Sequence, residues 1–280
     1  MKKIPILSGL ALCLVVAACG GGDDAPASAG PAIRLAYSGA PLVAAQRASV
    51  RAAAPTGASG GAGHDAVVAD NQATIDSLQA AFKVRGADIA VYPGTIDGTT
   101  LHELVMSENS GVAPTDAELR DIPWGIPTEW VLVNFKFADM VTRNDDPVQR
   151  AAIDQFERDL DTYAKREYLK GRVVYAAQPL GPCDHKDDTT NPIVTLSAIL
   201  SQNRYVNAIG GMAVTPEQMD STCLVPNDAV RSAYVAKIAD RLFGEYTTAL
   251  DTIDKCKHNP EAIPEYERAG QCWGITPEKK

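Results

Sequence analysis

The chain has 280 residues, of which 45% are hydrophobic and 22% are charged. This length and composition permit one substantial core and exclude a chain that is disordered as a whole. The formal net charge is -9, and no basic run or aromatic platform occurs. Nucleic acid is therefore excluded as an expected partner, because phosphate binding needs clustered Lys and Arg side chains.

The first 18 residues carry the most specific signal in the chain. Lys2 and Lys3 precede an apolar stretch that is too short to span a bilayer comfortably, and small residues lead to Cys19. From Val16 to Cys19 the pattern resembles the lipobox of a bacterial lipoprotein signal peptide. That resemblance implies cleavage before Cys19, a lipid such as palmitate on this cysteine, and attachment to the cell envelope, by default at the outer membrane. A plain secretory signal with an incidental cysteine is the alternative.

Two stretches near the N-terminus predict irregular structure. Residues 19–31 begin with a cysteine, three glycines and two aspartates, which indicates a flexible tether. Residues 47–63 are rich in Ala and Gly and predict a mobile surface insertion. No later segment is apolar enough to cross a bilayer. The lipid on Cys19 is therefore the expected contact with the membrane.

A regular alternation of strands and helices follows. Short apolar runs with β-branched and aromatic residues predict five strands, at residues 32–37, 87–92, 129–135, 172–178 and 204–210. Strands that alternate with helices imply right-handed crossovers, and hence a three-layer α/β/α fold with a five-stranded parallel sheet. We expect this domain to cover residues 32–250.

Two of the helices have clear apolar stripes. The first spans about 147–168, with Asp146 as its cap and Pro147 at its first position. Its expected buried face consists of Val148, Ala152, Phe156, Leu160 and Ala164. The second spans about 227–247, where apolar residues recur every fourth position.

Export to an oxidising compartment would favour disulfide bonds. Four cysteines remain after the signal peptide and the lipid site, and four cysteines permit three pairings. We favour Cys183 with Cys223 and Cys256 with Cys272, and the second bond would pin residues 251–280 as a C-terminal tail. A metal site at Cys183 and its neighbours Asp184 and His185 is the alternative, but their spacing matches no recognised ligand pattern. We expect no metal or cofactor.

The third predicted strand ends in an unusual way. Val131 to Val133 are typical of a strand that is covered on both faces. Asn134, Lys136, Ala138 and Asp139 then follow at the carboxyl end, where open α/β sheets hold their ligands. A lysine and an alanine at this place need an explanation.

Several stretches of the chain resemble, in order, the conserved blocks of the SGNH, or GDSL, hydrolases. This family of esterases, lipases and carbohydrate deacetylases has a flavodoxin-like fold. Gly39, Ala40 and Pro41 stand where the first block has Gly-Asp-Ser, whose serine is the nucleophile. Gly94 and Gly98 lie in a stretch similar to the second block, in which a glycine amide helps to bind the oxyanion.

The later blocks carry the resemblance to about residue 247. Asn134, Phe135 and Asp139 match the third block, whereas Lys136 replaces its glycine and Ala138 replaces its oxyanion-hole asparagine. The last block normally supplies aspartate and histidine. In one register these positions are Asp220 and Cys223, and in the other they are Thr222 and Val225.

These substitutions remove the parts that acyl transfer needs. Pro41 has neither a hydroxyl group nor a backbone N–H. One oxyanion donor is typically worth about 10²- to 10³-fold in rate, and without a histidine no imidazole can move the proton. The resemblance therefore implies an inactive hydrolase domain. Its remaining cleft residues would be Gly39, Gly98, Asn134, Lys136, Ala138, Asp139 and Asp220.

Three functions stay open at this point. The cleft of an inactive domain could bind an envelope glycan, an acyl group or a protein. An active esterase or deacetylase with a rearranged site would need Ser38 and His185 as a relocated dyad. A structural envelope protein would bind no ligand.

The other polar candidates have structural interpretations. Lys136 could neutralise Asp139 or Asp220, or could extend outward into solvent. His64 and His258 are expected in polar loops, and His102 with Glu103 on the exposed face at the start of a helix.

Overall fold

The computed structural model describes residues 32–42, 61–120, 125–137, 140–181, 190–221 and 225–278, with side chains from residue 65 in the first helix. Its five strands are β1 (Ile33–Gly39), β2 (Ile89–Pro93), β3 (Glu129–Asn134), β4 (Val173–Gln178) and β5 (Val206–Gly210). All neighbouring strands are parallel, in the order β2-β1-β3-β4-β5. This is the flavodoxin-like order, with a switch point between β1 and β3.

Seven helices occur in the described residues: α1 (Gly61–Val84), α2 (Leu101–Ser107), α3 (Asp116–Arg120), α4 (Pro147–Leu169), α5 (Pro192–Gln202), α6 (Asp228–His258) and α7 (Glu265–Gln271). None of them is both long enough and apolar enough to span a membrane. The signal peptide, the tether and most of the insertion predicted at 47–63 lie outside the described residues. Residues 61–63 of that insertion are the first residues of α1.

The core has two parts, one on each face of the sheet. On one face Leu35 and Tyr37 of β1 pack with Phe82 of α1 and Leu242 of α6. On the other face Val131 and Val133 of β3 pack with α4 and α5, whose contributions include Phe156, Leu160 and Leu196. Burial of such a side chain stabilises the fold by about 1.5–3 kcal/mol. The predicted three-layer α/β/α fold is therefore confirmed.

Helix α4 begins as its sequence predicts, and Phe156, Leu160 and Ala164 of its predicted face are buried, but the face is different at its N-terminal end. Asp146 caps it, since its Oδ1 accepts hydrogen bonds from the backbone N–H groups of Val148 (2.8 Å) and Gln149 (3.1 Å). Val148 itself is 79% exposed, so its predicted burial is wrong. A stripe with strict four-residue spacing rotates around a helix of 3.6 residues per turn, by about 120° between positions 148 and 160. The buried stripe instead includes Ile153.

Two helices depart from the predictions for physical reasons. Helix α1 was not predicted, because its buried face includes the polar residues Asn71 and Thr74, both 0% exposed. Asn71 Nδ2 donates to the carbonyl of Ile96 (2.8 Å), which satisfies this donor inside the protein. Helix α6 continues through residue 250 and buries Cys256. The domain and the predicted tail are thus joined by a continuous helix.

The second predicted disulfide is present. Cys256 on α6 is bonded to Cys272, which follows α7, across a separation of 16 residues. The bond holds the C-terminal segment against α6. Cys183 and Cys223 lie outside the described residues, so their pairing stays a prediction.

Loss of this bond should lower stability, because it restricts the unfolded chain. We expect Cys272→Ser to reduce the free energy of unfolding by about 2–4 kcal/mol, measured by urea denaturation without reductant. In the presence of reductant, wild type and variant should unfold at the same urea concentration. A difference that persists under reducing conditions would show that residue 272 acts through packing instead.

Candidate functional site

A cleft lies at the carboxyl ends of β1, β3 and β4, next to the switch point. Its cavity measures about 270 Å³. Most of the wall is apolar. Its apolar residues are Pro41, Leu42, Met140, Pro179, Leu180, Ile193, Met219, Val225 and Pro226. The polar residues of the wall are Asp70, Asn134, Lys136, Arg231 and Tyr234. The Tyr234 hydroxyl donates to the carbonyl of Gln178, and burial raises its pKa far above the ordinary value.

The turn after β1 is held by internal hydrogen bonds. Gly39 has a φ of 108°, and a Cβ there would lie 2.6 Å from the carbonyl oxygen of Asn134, so only glycine fits. Gly39 N donates to Thr95 O (2.8 Å), and Ala40 N donates to Asn134 O (2.9 Å). The Ala40 carbonyl accepts from Asn134 Nδ2 at 2.8 Å and from the Tyr37 hydroxyl. Gly39 is buried beneath the turn, and Pro41 reaches the wall of the cleft.

Ser38 has a structural role. Its side chain is 3% exposed, and its hydroxyl oxygen accepts from Thr95 N (2.9 Å). The missing side chain of Gly94 leaves room for it, since a Cβ there would lie 2.2 Å from Ser38 Oγ. Ser38 is not part of the cleft wall. It therefore cannot serve as the nucleophile of the relocated dyad without rearrangement, and His185 lies outside the described residues.

The backbone amides beside the turn are also occupied. Gly94 N donates to Tyr37 O (2.8 Å), and Leu42 N donates to Thr74 Oγ1 (3.0 Å). The amides of residues 39, 40 and 95 are hydrogen-bonded as well, and Pro41 has no backbone N–H. Gly98 is exposed and is not part of the cavity wall, so its predicted place in the cleft is wrong.

Lys136 points into the cleft because its two neighbours are buried. Phe135 packs edge-on against Tyr163 (ring centroids 6.3 Å apart), and Phe137 packs against Phe156 (5.6 Å). Successive side chains of an extended segment point to opposite sides, which directs Lys136 to the cavity. The lysine is exposed to solvent in the open cleft, and the protein atoms around its ammonium group lower its pKa by partial desolvation.

Asp220 does not have its predicted place at the floor of the cleft. It is exposed, and its Oδ1 accepts from Val225 N at 3.1 Å, while its own N–H donates to Val225 O at 2.8 Å. These bonds close the loop before α6 and turn the carboxylate toward its own backbone. No ion pair joins Asp220 to Lys136. The other predicted residues, Ala138, Asp139, Thr222 and Cys223, lie outside the described residues.

Sequence reasoning missed two charged residues of the cleft, Asp70 and Arg231. Arg231 belongs to the first turns of α6, and its Nε donates to Pro226 O at 2.8 Å. In a parallel α/β fold, each helix begins near the carboxyl edge of the sheet, where ligands bind. A charged residue in the first turns of α6 was therefore a usable signal for the site. Asp70 belongs to α1, which was not predicted.

The histidines lie elsewhere. His102, exposed on α2 as predicted, contacts the buried Asp159 with its Nδ1 (3.0 Å). His258 is the last residue of α6, not a loop residue, and its hydrogen bond with Asp254 raises its pKa. The backbone of His64 lies in α1 and its side chain is not described. No cluster of metal-binding side chains occurs among the described residues.

Known proteins offer only distant likenesses. No family profile and no curated protein sequence matches the chain. Among solved structures, LAE5, an α/β hydrolase from the metagenome of Lake Arreo, is 12% identical, with 78% of this chain and 96% of that chain covered and a TM-score of 0.46. Axe2, an acetylxylan esterase from Geobacillus stearothermophilus, is 16% identical, with 78% and 95% covered and a TM-score of 0.43.

A third likeness is of the same kind. EstA, a psychrotrophic esterase from Pseudoalteromonas sp., is 13% identical, with 78% of this chain and 98% of that chain covered and a TM-score of 0.39. At such identities and scores, the fold class rests on the strand order of the chain itself.

The environment of Lys136 has a measurable consequence. We expect its ammonium group to lose its proton below the ordinary lysine pKa of 10.5, because desolvation disfavours the charged form. Lysine side chains labelled by reductive ¹³C-methylation can be titrated by NMR, with Lys136→Met identifying the resonance. A midpoint at or above 10.5 would mean that the amino group is fully hydrated or ion-paired.

Proposed function

We propose that the protein is a lipid-anchored envelope protein whose SGNH-hydrolase-like domain binds a ligand in its cleft without hydrolysing it. One observation carries this proposal. Where the family resemblance requires a nucleophilic serine at the cleft, the wall carries Pro41, and the hydroxyl nearest along the chain, Ser38, is buried and hydrogen-bonded.

The energetic argument follows from what acyl transfer needs. A serine hydrolase without its nucleophile or base keeps roughly 10³- to 10⁴-fold catalysis over water. This remaining rate enhancement depends on an intact oxyanion hole. Here the amides beside the turn after β1 already donate to Thr95, Asn134, Thr74 and Tyr37. A developing oxyanion would have to displace these bonds, so even the residual rate should be lost.

The cleft favours a binding role over a purely structural one. The lowered pKa of Lys136 shows that its surroundings disfavour the charged form, and no ion-pair partner for it occurs among the described residues. Met140, on the same wall, has a φ of 60°, a conformation that costs about 1–2 kcal/mol for a residue other than glycine. Unfavourable features of this kind concentrate at sites that bind ligands.

The sequence at the N-terminus supports the anchor. The lipobox-like segment ends at Cys19, and the following residues have the composition of a tether. A lipid on Cys19 would hold the folded domain at a membrane surface, with the outer membrane as the proposed location. One lipid chain gives only marginal membrane binding, so stable anchoring would need more than one acyl chain at this residue.

The inactive cleft can be tested directly. We expect the purified protein to hydrolyse p-nitrophenyl acetate and p-nitrophenyl hexanoate no faster than the same protein after unfolding by heat. Ser38→Ala and His185→Ala should not change this background rate. Hydrolysis well above the background, and its loss in either variant, would support the rearranged esterase instead.

The anchor predicts a modification at one residue. We expect cells grown with an alkyne-bearing palmitate analogue to label the wild-type protein, and Cys19→Ser to abolish the label because the thiol that carries the lipid is gone. Cys13→Ser, within the predicted signal peptide, is the matched control and should remain labelled. Labelling of Cys19→Ser, or no label on the wild type, would contradict the anchor.

A further inference from the structure

We infer that the ligand of the cleft is a carboxylate with a short aliphatic chain, whose carboxylate pairs with Lys136 and Arg231 and whose chain packs against the apolar wall. This inference rests on the proposed binding function and names the chemical class of its ligand. It uses two residues of this chain that the resemblance to hydrolases does not explain.

The charges of the cavity wall favour an anion. Lys136 and Arg231 are the two cations of the described wall, and Asp70 is its one carboxylate. Within the described part of the chain neither cation has an ion-pair partner, and the hydrogen bond of Arg231 to Pro226 O uses only Nε. Its two terminal nitrogens are thus left for a ligand. A guanidinium group binds a carboxylate through parallel N–H donors. The described part of the wall has one more cation than carboxylates, which matches a monoanion.

The helices add to this potential. Ile193, at the second position of α5, is part of the cavity wall, and Arg231 lies in the first turns of α6. The N-terminus of a helix carries a partial positive charge. Two such ends beside the cavity therefore act in the same direction as the two cations.

The apolar part of the wall indicates which chemical group carries the carboxylate of the ligand. Leu42, Met140, Leu180, Ile193 and Met219 offer aliphatic surface and few hydrogen-bond partners. A sugar would bury hydroxyl groups without partners there, which is costly, whereas an alkyl chain gains from contact with this surface. The volume of about 270 Å³ lies just below the usual range of roughly 300–1,000 Å³ for small-molecule sites. A short chain fits these limits better than a polymer.

Hexanoate is a suitable probe, with 1-hexanol and acetate as its uncharged and tail-less counterparts. The lipid-bearing protein in lipid nanodiscs can be titrated by isothermal calorimetry, with the heat of empty nanodiscs subtracted. We expect hexanoate to bind at least tenfold more tightly than hexanol or acetate. Lys136→Gln and Arg231→Gln should each weaken hexanoate binding by about tenfold and leave hexanol binding within about twofold, which also shows that the variants are folded.

Matched controls separate a local effect from the net charge of the protein. Lys83→Gln, on the exposed end of α1, and Arg241→Gln, on the exposed face of α6, remove the same charges outside the cleft and should leave the hexanoate affinity unchanged. Lys136→Arg should retain most of it. If hexanoate binds no better than hexanol, or if the controls weaken it as much as the cleft variants, the inference is wrong.

The two proposals fail in different ways. Enzymatic release of p-nitrophenol from the hexanoate ester would overturn the non-hydrolytic function, whatever the affinity for free hexanoate. Charge-independent binding of hexanoate, with no ester hydrolysis, would overturn only the carboxylate inference and leave a binding cleft of different specificity.

Discussion

The parallel register between β1 and β3 is the constraint on which the site depends. Gly39 is paired with Asn134 at the carboxyl ends of these strands, and Ala40 exchanges two hydrogen bonds with the same asparagine. Pro41 and Lys136 each follow this pair by two residues. The register therefore brings both to the wall of one cavity, although they are far apart in the sequence.

The same bonds decide what the cleft can do. A hydrolase must leave amide donors unoccupied until the oxyanion forms, because the donors act by being preorganised toward a charge that develops in the transition state. In this chain the donors around the turn are satisfied by Thr95, Asn134 and Thr74. Such bonds stabilise the turn in the resting protein, and under the proposed function they would oppose electrostatic catalysis there. A turn whose amide donors are hydrogen-bonded can still form part of a cleft wall that packs against a ligand.

The sequence was informative where a local pattern coincided with a tertiary role. The five strands were predicted with ends within two residues of those observed, since their apolar runs are also the buried core of the sheet. The cap at Asp146 was predicted because capping depends on neighbouring residues alone. Lys136 was recognised as unusual, because it interrupts the apolar pattern at a strand end.

Other features depend on contacts that no local pattern records. Asn71 and Thr74 make α1 look polar, although Asn71 Nδ2 donates to Ile96 and Thr74 Oγ1 accepts from Leu42 in the folded protein. Asp220 was placed in the cleft by the order of motifs, but its hydrogen bonds to Val225 turn it away. Arg231 was overlooked because a lone arginine in a helix is normally a solvated residue. Its place in the cleft depends on the fold, in which Arg231 Nε donates to Pro226 O and both residues line the cavity.

The packing around Lys136 and the charge of its ammonium group connect the fold to the proposed function. Two buried aromatic rings hold the backbone on either side of it, so a backbone rotation that turned Lys136 away from the cleft would expose at least one of them. Exposure of a large aromatic side chain costs about 1.5–3 kcal/mol, which exceeds the few tenths that a typical surface substitution changes. The fold thus holds an ammonium group at the wall of the cleft, where the surrounding protein lowers its pKa. A bound anion would compensate that charge, and ligand binding would then stabilise the folded state through the group that now opposes it.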